Sequence, residues 1–186
     1  LTGLVSYYLL SPFSVVTALF PNELLPLGIS VLTILKIGLC GLTFCVFLRI
    51  KYHKTSFYSI PFAIMYALCG YAVGYSMCLM WIDSMIWLPM IILSLERVIN
   101  GKSPVMFIAL LFVEFVSNYY TAYMIGIFCV LYFVYYSISA EVKIRMKTVA
   151  KFIISAVLAG GMSAFLILPT LYCMLNGKLG GSGYVP

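Results

Sequence analysis

The strongest indication of chemistry is a lysine inside an apolar run. Lys36 stands between Leu35 and Ile37, near the middle of a long hydrophobic segment, where its ammonium group cannot easily reach water. A charge in such a position is costly and generally faces an anion, a polar cavity or a substrate. Lys36 therefore predicts either a lipid phosphate or carboxylate ligand, or a structural ion pair with Glu114 or Asp83.

Asp83 and Glu114 are the acidic residues with the clearest functional interpretations. Asp83 lies in a polar link before an apolar run. Such an aspartate either caps a helix by accepting backbone N–H groups or contacts a sugar or an acceptor. Glu114 lies about one turn inside another apolar run, where a carboxylate needs a partner.

A short polar turn, which contains Asn118, Tyr119, Tyr120 and Thr121, follows Glu114. Tyrosine commonly anchors a helix at a membrane interface, but four hydrogen-bonding side chains in one turn exceed what anchoring requires. Paired tyrosines also occur near the start of the chain. The candidate substrate-binding residues are therefore Lys36, Asp83, Glu114, Asn118, Tyr119, Tyr120, Tyr7 and Tyr8.

Other kinds of active site lack their motifs in this sequence. None of the six cysteines has the Cys-x-x-Cys spacing of a zinc or redox site, and His53 is the single histidine. The sequence contains no nucleotide-phosphate loop, no Gly-x-Ser-x-Gly elbow and no His-Glu-x-x-His motif. No metal site and no cofactor are predicted, and a requirement for a divalent metal stays open.

The composition identifies the environment that must position these residues. Hydrophobic residues make up 64% of the chain, charged residues 9%, and the mean hydropathy is +1.12. A soluble domain has about 45–50% apolar and about 25% charged residues. The apolar side chains must therefore face lipid or each other, which predicts an all-α, polytopic transmembrane helical bundle.

Spans of about 20 apolar residues are long enough to cross a bilayer. The sequence predicts one transmembrane domain over 1–186, as part of a longer protein. Residues 1–22 are expected to form an extracytoplasmic or interfacial segment, because Ser11-Pro12 and paired tyrosines interrupt the first apolar run. Six membrane spans are expected within 24–170, with an extracytoplasmic loop over 171–186. The predicted spans are 24–50, 57–77, 85–98, 104–116, 119–137 and 149–168.

Basic residues occur in every second connection. They lie in 49–54, 97–102 and 143–151, whereas the intervening connections 78–84 and 117–120 contain no Lys or Arg. By the positive-inside rule, the basic connections are cytoplasmic and the others extracytoplasmic. The net charge of +6 therefore predicts contact with membrane lipid and no nucleic-acid partner. The predicted location is the plasma membrane, with the functional face outside.

Several segments, in order, resemble the bacterial membrane protein YfhO family. They are YYLLSP at 7–12, LKIGLCGLTF at 35–44, YALCGY at 66–71, WIDSMIWLP at 81–89 with LER at 95–97, NYYTAYM at 118–124 and LPT at 168–170. The resemblance covers nearly the whole chain. It implies a membrane core of the GT-C class of polytopic glycosyltransferases.

The resemblance also implies an activity. Such an enzyme transfers a sugar from an undecaprenyl-phosphate carrier to a cell-surface glycopolymer such as lipoteichoic acid, and a partner transferase makes the lipid-linked donor. The resemblance places the acidic catalytic residue in an outer loop upstream of Leu1, so the catalytic residue is not assigned to any position of this sequence. On that reading the present chain by itself is expected to be inactive.

Two other classes of function remain open from the sequence. A transporter or flippase would place polar groups near the bilayer midplane, where Lys36 lies, although no internal repeat is visible. A non-catalytic scaffold for cell-envelope polymer synthesis would use the polar turns as docking surfaces only.

Overall fold

Apolar runs set the lengths of the helices in the computed structural model, which describes residues 11–52, 57–139, 146–169 and 172. Two 3₁₀ segments, Pro12–Leu19 and Asn22–Leu24, lead into the longest helix, α1. Residues 164–169 are also helical, and the described residues contain no strand. The α-helices are α1 (Leu25–Tyr52), α2 (Ser59–Ala67), α3 (Gly70–Gly74), α4 (Leu79–Ile99), α5 (Val105–Ser117), α6 (Tyr119–Ser139) and α7 (Met146–Met162).

Three of the described helical segments are long and apolar enough to cross a membrane: Asn22–Tyr52, Leu79–Ile99 and Tyr119–Ser139. Two shorter apolar segments, Ser59–Gly74 and Val105–Ser117, accompany them. Many large hydrophobic side chains on these helices point outward, as lipid-facing residues do. The predicted all-α membrane fold is confirmed, whereas the number of crossings and the division of the chain into segments stay predictions.

Helix α4 begins earlier than the sequence predicted. It starts at Leu79, after Cys78 as the N-cap residue, and no side chain caps it. Asp83 therefore lies inside the helix, so the interpretation of Asp83 as a helix cap is wrong. The helix begins four residues earlier, and the carboxylate pairs with Lys36 in place of backbone N–H groups.

The predicted span 57–77 is divided into α2 and α3. Helix α2 ends at Ala67, and Cys69 adopts an extended conformation before α3 begins at Gly70. Gly70 and Gly74 both have low helix propensity, which explains why the second piece is short.

Helix α4 is the centre of the bundle, since it contacts α1, α5, α6 and α7. Its first half packs with α1, α2 and α3 around Cys40, Ala67, Ala72, Ile82 and Ile86. Its second half packs with α5, α6 and α7 in a larger cluster that includes Leu95, Phe107, Phe133 and Phe152. Helix α4 therefore lies between the two groups of helices, and its position sets where the polar residues of each group lie.

Candidate functional site

A buried ion pair joins α1 to α4. Lys36 Nζ lies 2.5 Å from Asp83 Oδ1, and the two side chains are 1% and 0% exposed. The same ammonium group donates to the backbone carbonyl of Leu79 at 2.9 Å and to the hydroxyl of Ser11 at 3.5 Å. Of the two acidic partners proposed for Lys36, the structure selects Asp83.

The ion pair leaves Lys36 little capacity for another ligand. An ammonium group has three N–H donors, and Asp83, Leu79 and Ser11 supply three acceptors. The ring of Phe13 also lies 5.6 Å from the ammonium nitrogen. A phosphate could bind Lys36 only by displacing one of these contacts.

A second buried carboxylate lies where α4, α5 and α6 meet. Glu114 is 0% exposed, and its Oε1 accepts hydrogen bonds from the hydroxyls of Ser84 at 2.5 Å and Thr121 at 3.1 Å. Ser84 follows Asp83 directly in the chain. The ion pair and the Glu114 contacts therefore form one polar cluster, which we define as Lys36, Asp83, Ser84, Glu114, Asn118 and Thr121.

Asn118 makes the sharp turn between α5 and α6. Its backbone is extended, and its Oδ1 accepts a hydrogen bond from the backbone N–H of Tyr120 at 2.9 Å. This is the geometry of a helix N-cap, and it fixes the side chain at the start of α6. Asn118 is 0% exposed.

Besides the carboxylate of Asp83, whose charge is paired by Lys36, two atoms of the polar cluster retain unused hydrogen-bonding capacity. Glu114 Oε2 and Asn118 Nδ2 are buried and make no hydrogen bond to any other residue that the structure describes. Such groups are costly to bury without a partner. One is an acceptor and the other a donor, so together they suit a hydroxyl group, which can do both.

A cavity of about 270 Å³ reaches the hydroxyls that hold Glu114. Ser84 and Thr121 line it together with apolar and aromatic side chains, including Tyr66, Tyr71 and Ile125. A ligand in this cavity would lie against Ser84 and Thr121 as well as the apolar walls. The cavity therefore borders the polar cluster at Ser84 and Thr121, whereas Glu114 and Asn118 do not line it.

Tyr66 supports the wall of this cavity through α4. Pro89 lies inside α4, and because proline has no N–H it cannot bond to the carbonyl four residues earlier. That carbonyl belongs to Met85, and the hydroxyl of Tyr66 donates to it at 2.8 Å. Tyr66 thus supplies the hydrogen bond that the helix lacks.

Tyr119 and Tyr120, two further predicted site residues, face a different cavity from Ser84 and Thr121. Tyr119 and Tyr120 line a neighbouring cavity of about 240 Å³ with Phe115, Tyr123 and Ile167. Tyr7 and Tyr8 lie outside the described residues. Lys36, Asp83, Glu114 and Asn118 are brought together, and Ser84 and Thr121, which the sequence placed only in the polar turns, are the residues that hold Glu114.

A second ionic contact, which the sequence did not predict, lies at the basic end of the bundle. Lys51 and Tyr132 both donate to Glu96 Oε1, and Lys51 Nζ lies 2.8 Å from the hydroxyl of Tyr132. The ammonium group also faces the rings of Phe47, Tyr132 and Tyr136 at 5.5–5.9 Å. The only sequence signal was an acidic residue, Glu96, near the basic end of an apolar run.

An all-α bundle with several apolar helices and a buried ion pair defines a polytopic membrane protein. The family model described as "Bacterial membrane protein YfhO" matches residues 1–181, and the chain belongs to this family. A protein of Bacillus subtilis (strain 168), described as "Uncharacterized protein YfhO", is 29% identical over 97 residues. These residues are 50% of this chain and 11% of that relative. No solved structure matches the chain.

Proposed function

We propose that the full-length protein is a membrane glycosyltransferase. It would transfer a sugar from an undecaprenyl-phosphate carrier to a cell-surface glycopolymer such as lipoteichoic acid, at the outer face of the membrane. The observation that carries the proposal is the pair of unused buried polar atoms, Glu114 Oε2 and Asn118 Nδ2. The residues that donate to Glu114, Ser84 and Thr121, line a cavity.

The distribution of charge along the bundle supports an outer position for this site. Lys51 pairs with Glu96 at one end, and Lys151 donates to the carbonyl of Gly101 near the same end, at 3.3 Å. Glu96 lies thirteen residues along α4 from Asp83, or about 20 Å at 1.5 Å per residue. If the basic end is cytoplasmic, the polar cluster lies in the outer half of the membrane.

The chemistry of sugar transfer fits these groups. The acceptor hydroxyl must lose a proton, and a positioned carboxylate commonly receives it. In this proposal Glu114 and Asn118 bind a hydroxyl of the sugar or the acceptor. The Lys36–Asp83 pair positions α4 against α1, since its donors are already occupied.

Other candidates keep secondary roles in the proposal. Tyr119 and Tyr120 would contact substrate at the neighbouring cavity, and Tyr7 and Tyr8 are retained as candidate substrate-binding residues. A partner transferase would supply the lipid-linked sugar. No catalytic residue is assigned within this chain.

The proposal is tested in the full-length protein, in cells that make the surface polymer. We expect Glu114→Gln and Asn118→Ala to lower polymer glycosylation by about tenfold or more, because each removes a contact to a buried polar group. The protein's level in the membrane should not change. The matched controls Glu23→Gln and Asn100→Ala alter exposed residues and should leave glycosylation unchanged. Full glycosylation by both cluster variants would refute the site.

A transporter or flippase is the second candidate. The observation that favours it is the fully buried Lys36–Asp83 pair, because paired charges at membrane depth also mark transport pathways. Purified full-length protein in vesicles separates the two candidates. Movement of a lipid-linked sugar across the bilayer without transfer to an acceptor would select the transporter.

A further inference from the structure

A groove runs along the lipid-facing surface where α1 meets α2. Its volume is about 540 Å³, and its lining is apolar except at one end. A side chain added at Gly38 would meet no atom within 4 Å, so this glycine leaves the floor of the groove open. The walls include Leu42 and Ile64, which are 59% and 53% exposed.

A single charged residue, Arg49, lines the end of this groove. Among the residues that the structure describes, no carboxylate forms an ion pair with Arg49: the ion pairs found there are Lys36–Asp83 and Lys51–Glu96. Arginine binds phosphate through parallel N–H···O bonds and keeps its charge near a membrane. The groove therefore combines an apolar channel with a cation that has no ion-pair partner within the described part of the chain and is suited to phosphate.

The length of the groove indicates what it holds. The α1 residues that line it run from Ile37 to Arg49, or about 18 Å at 1.5 Å per residue. One leaflet is half of the roughly 30 Å hydrocarbon core, or about 15 Å. The occupant should therefore span one leaflet and carry an anion at its end, which describes a phospholipid, whereas an undecaprenyl chain is far longer than one leaflet.

We propose that this groove is a binding site for an anionic glycerophospholipid. One acyl chain lies between α1 and α2, and the phosphate contacts Arg49. Lys51, on the same helix end, is paired with Glu96, so Arg49 supplies the charge that attracts the anionic headgroup. The site lies at the basic end, thirteen residues from Lys36 along α1, and does not depend on the proposed sugar transfer.

The test uses the full-length protein in nanodiscs of phosphatidylcholine, with a trace of phosphatidylglycerol that carries a photoreactive group in mid-chain. Cross-linked peptides are mapped by mass spectrometry. We expect labelling within 37–49 and 60–68, and we expect unlabelled phosphatidylglycerol to compete at least about tenfold better than phosphatidylcholine. Because this competition is measured in the wild-type protein, its result does not depend on whether any variant folds.

Matched variants test the roles of the Arg49 charge and of the open space at Gly38. Arg49→Gln should lower labelling by about three- to tenfold, through loss of a charge-assisted contact, whereas Arg97→Gln, at the same end but outside the groove, should not. Gly38→Leu should block the groove, whereas Gly126→Leu, which also places its side chain in open space, should not.

Four results would overturn the proposal. They are equal competition by the two phospholipids, equal effects of the Arg49 and Arg97 variants, stronger competition by undecaprenyl phosphate, and absence of any label in the groove. The third would assign the groove to the sugar carrier, and the fourth would show that protein covers it.

Discussion

Two ion pairs join the same helices, α1 and α4, in different surroundings. Lys36–Asp83 and Lys51–Glu96 lie fifteen residues apart on α1 and thirteen on α4, which corresponds to about 20 Å. The first pair is 1% and 0% exposed, whereas the second is 26% and 13% exposed. The two contacts therefore differ mainly in their access to water.

This difference changes what each pair does for the protein. The buried pair has only protein groups to satisfy it, so removal of one partner leaves an uncompensated charge. Lys51 has several alternatives, since it contacts Tyr132 and three aromatic rings as well as Glu96. The buried pair fixes the position of α4, whereas the basic end tolerates change.

The largest expected effect comes from breaking the buried pair. Lys36→Met or Asp83→Leu alone should lower the free energy of unfolding by about 3–5 kcal/mol, because each strands the partner's charge. The double variant Lys36→Met/Asp83→Leu should recover most of this loss, since two apolar side chains replace a pair. Equilibrium unfolding of the full-length protein in detergent micelles measures all three, and a double variant as unstable as the sum of the singles would contradict the account.

A smaller effect is expected at the neighbouring carboxylate. Glu114→Ala should lower the free energy of unfolding by about 1–3 kcal/mol, because the hydroxyls of Ser84 and Thr121 lose their acceptor. The same variant in a Ser84→Ala/Thr121→Ala background should cost less, since no donor is then left unpaired. The wild type, the Glu114 variant, the double variant and the triple variant are measured in the same unfolding assay. An equal loss of unfolding free energy in both backgrounds would show that these hydrogen bonds do not cause it.

At the basic end, Lys51→Met should cost about 1 kcal/mol or less, because partly exposed ion pairs and cation–π contacts are individually weak. Comparison with Lys36→Met in one experiment sharpens the contrast between the two pairs. If Lys51→Met proved as destabilising as Lys36→Met, burial would not explain the difference between them.

An effect of similar size is expected next to Pro89, where the side chain of Tyr66 supplies the hydrogen bond that the backbone lacks. Tyr66→Phe should cost about 0.5–1.5 kcal/mol, because the carbonyl of Met85 loses its partner. In a Pro89→Ala background, the restored backbone N–H can bond to the same carbonyl, so Tyr66→Phe should cost less. An equal cost in both backgrounds, measured by thermal unfolding, would contradict this role for Tyr66.

The sequence predicted the features that depend on local pattern. The apolar runs located α1, α5 and α6 to within two residues at each end, and the position of Lys36 indicated a buried charge in need of an anion. The choice of Asp83 over Glu114 could not be predicted, because it depends on which face of α4 packs against α1. The polar residues Trp81 and Asp83 made the start of α4 look like a link.

The contact at the basic end was missed for a related reason. Lys51, Glu96 and Tyr132 are distant in sequence, and each alone resembles an ordinary residue near the membrane surface. Only tertiary packing brings them together. Periodicity and composition cannot supply that information.

The account depends most on the claim that the polar cluster and the basic end lie at opposite sides of the membrane. In a full-length protein without its native cysteines, Met77→Cys next to α4 and Lys102→Cys at the basic end are treated with a membrane-impermeant thiol reagent on intact cells. Met77 is 93% exposed in the structure. The account predicts labelling at position 77 without permeabilisation and at position 102 only after it. The reverse pattern would place the polar cluster in the cytoplasmic half and contradict transfer to a surface polymer.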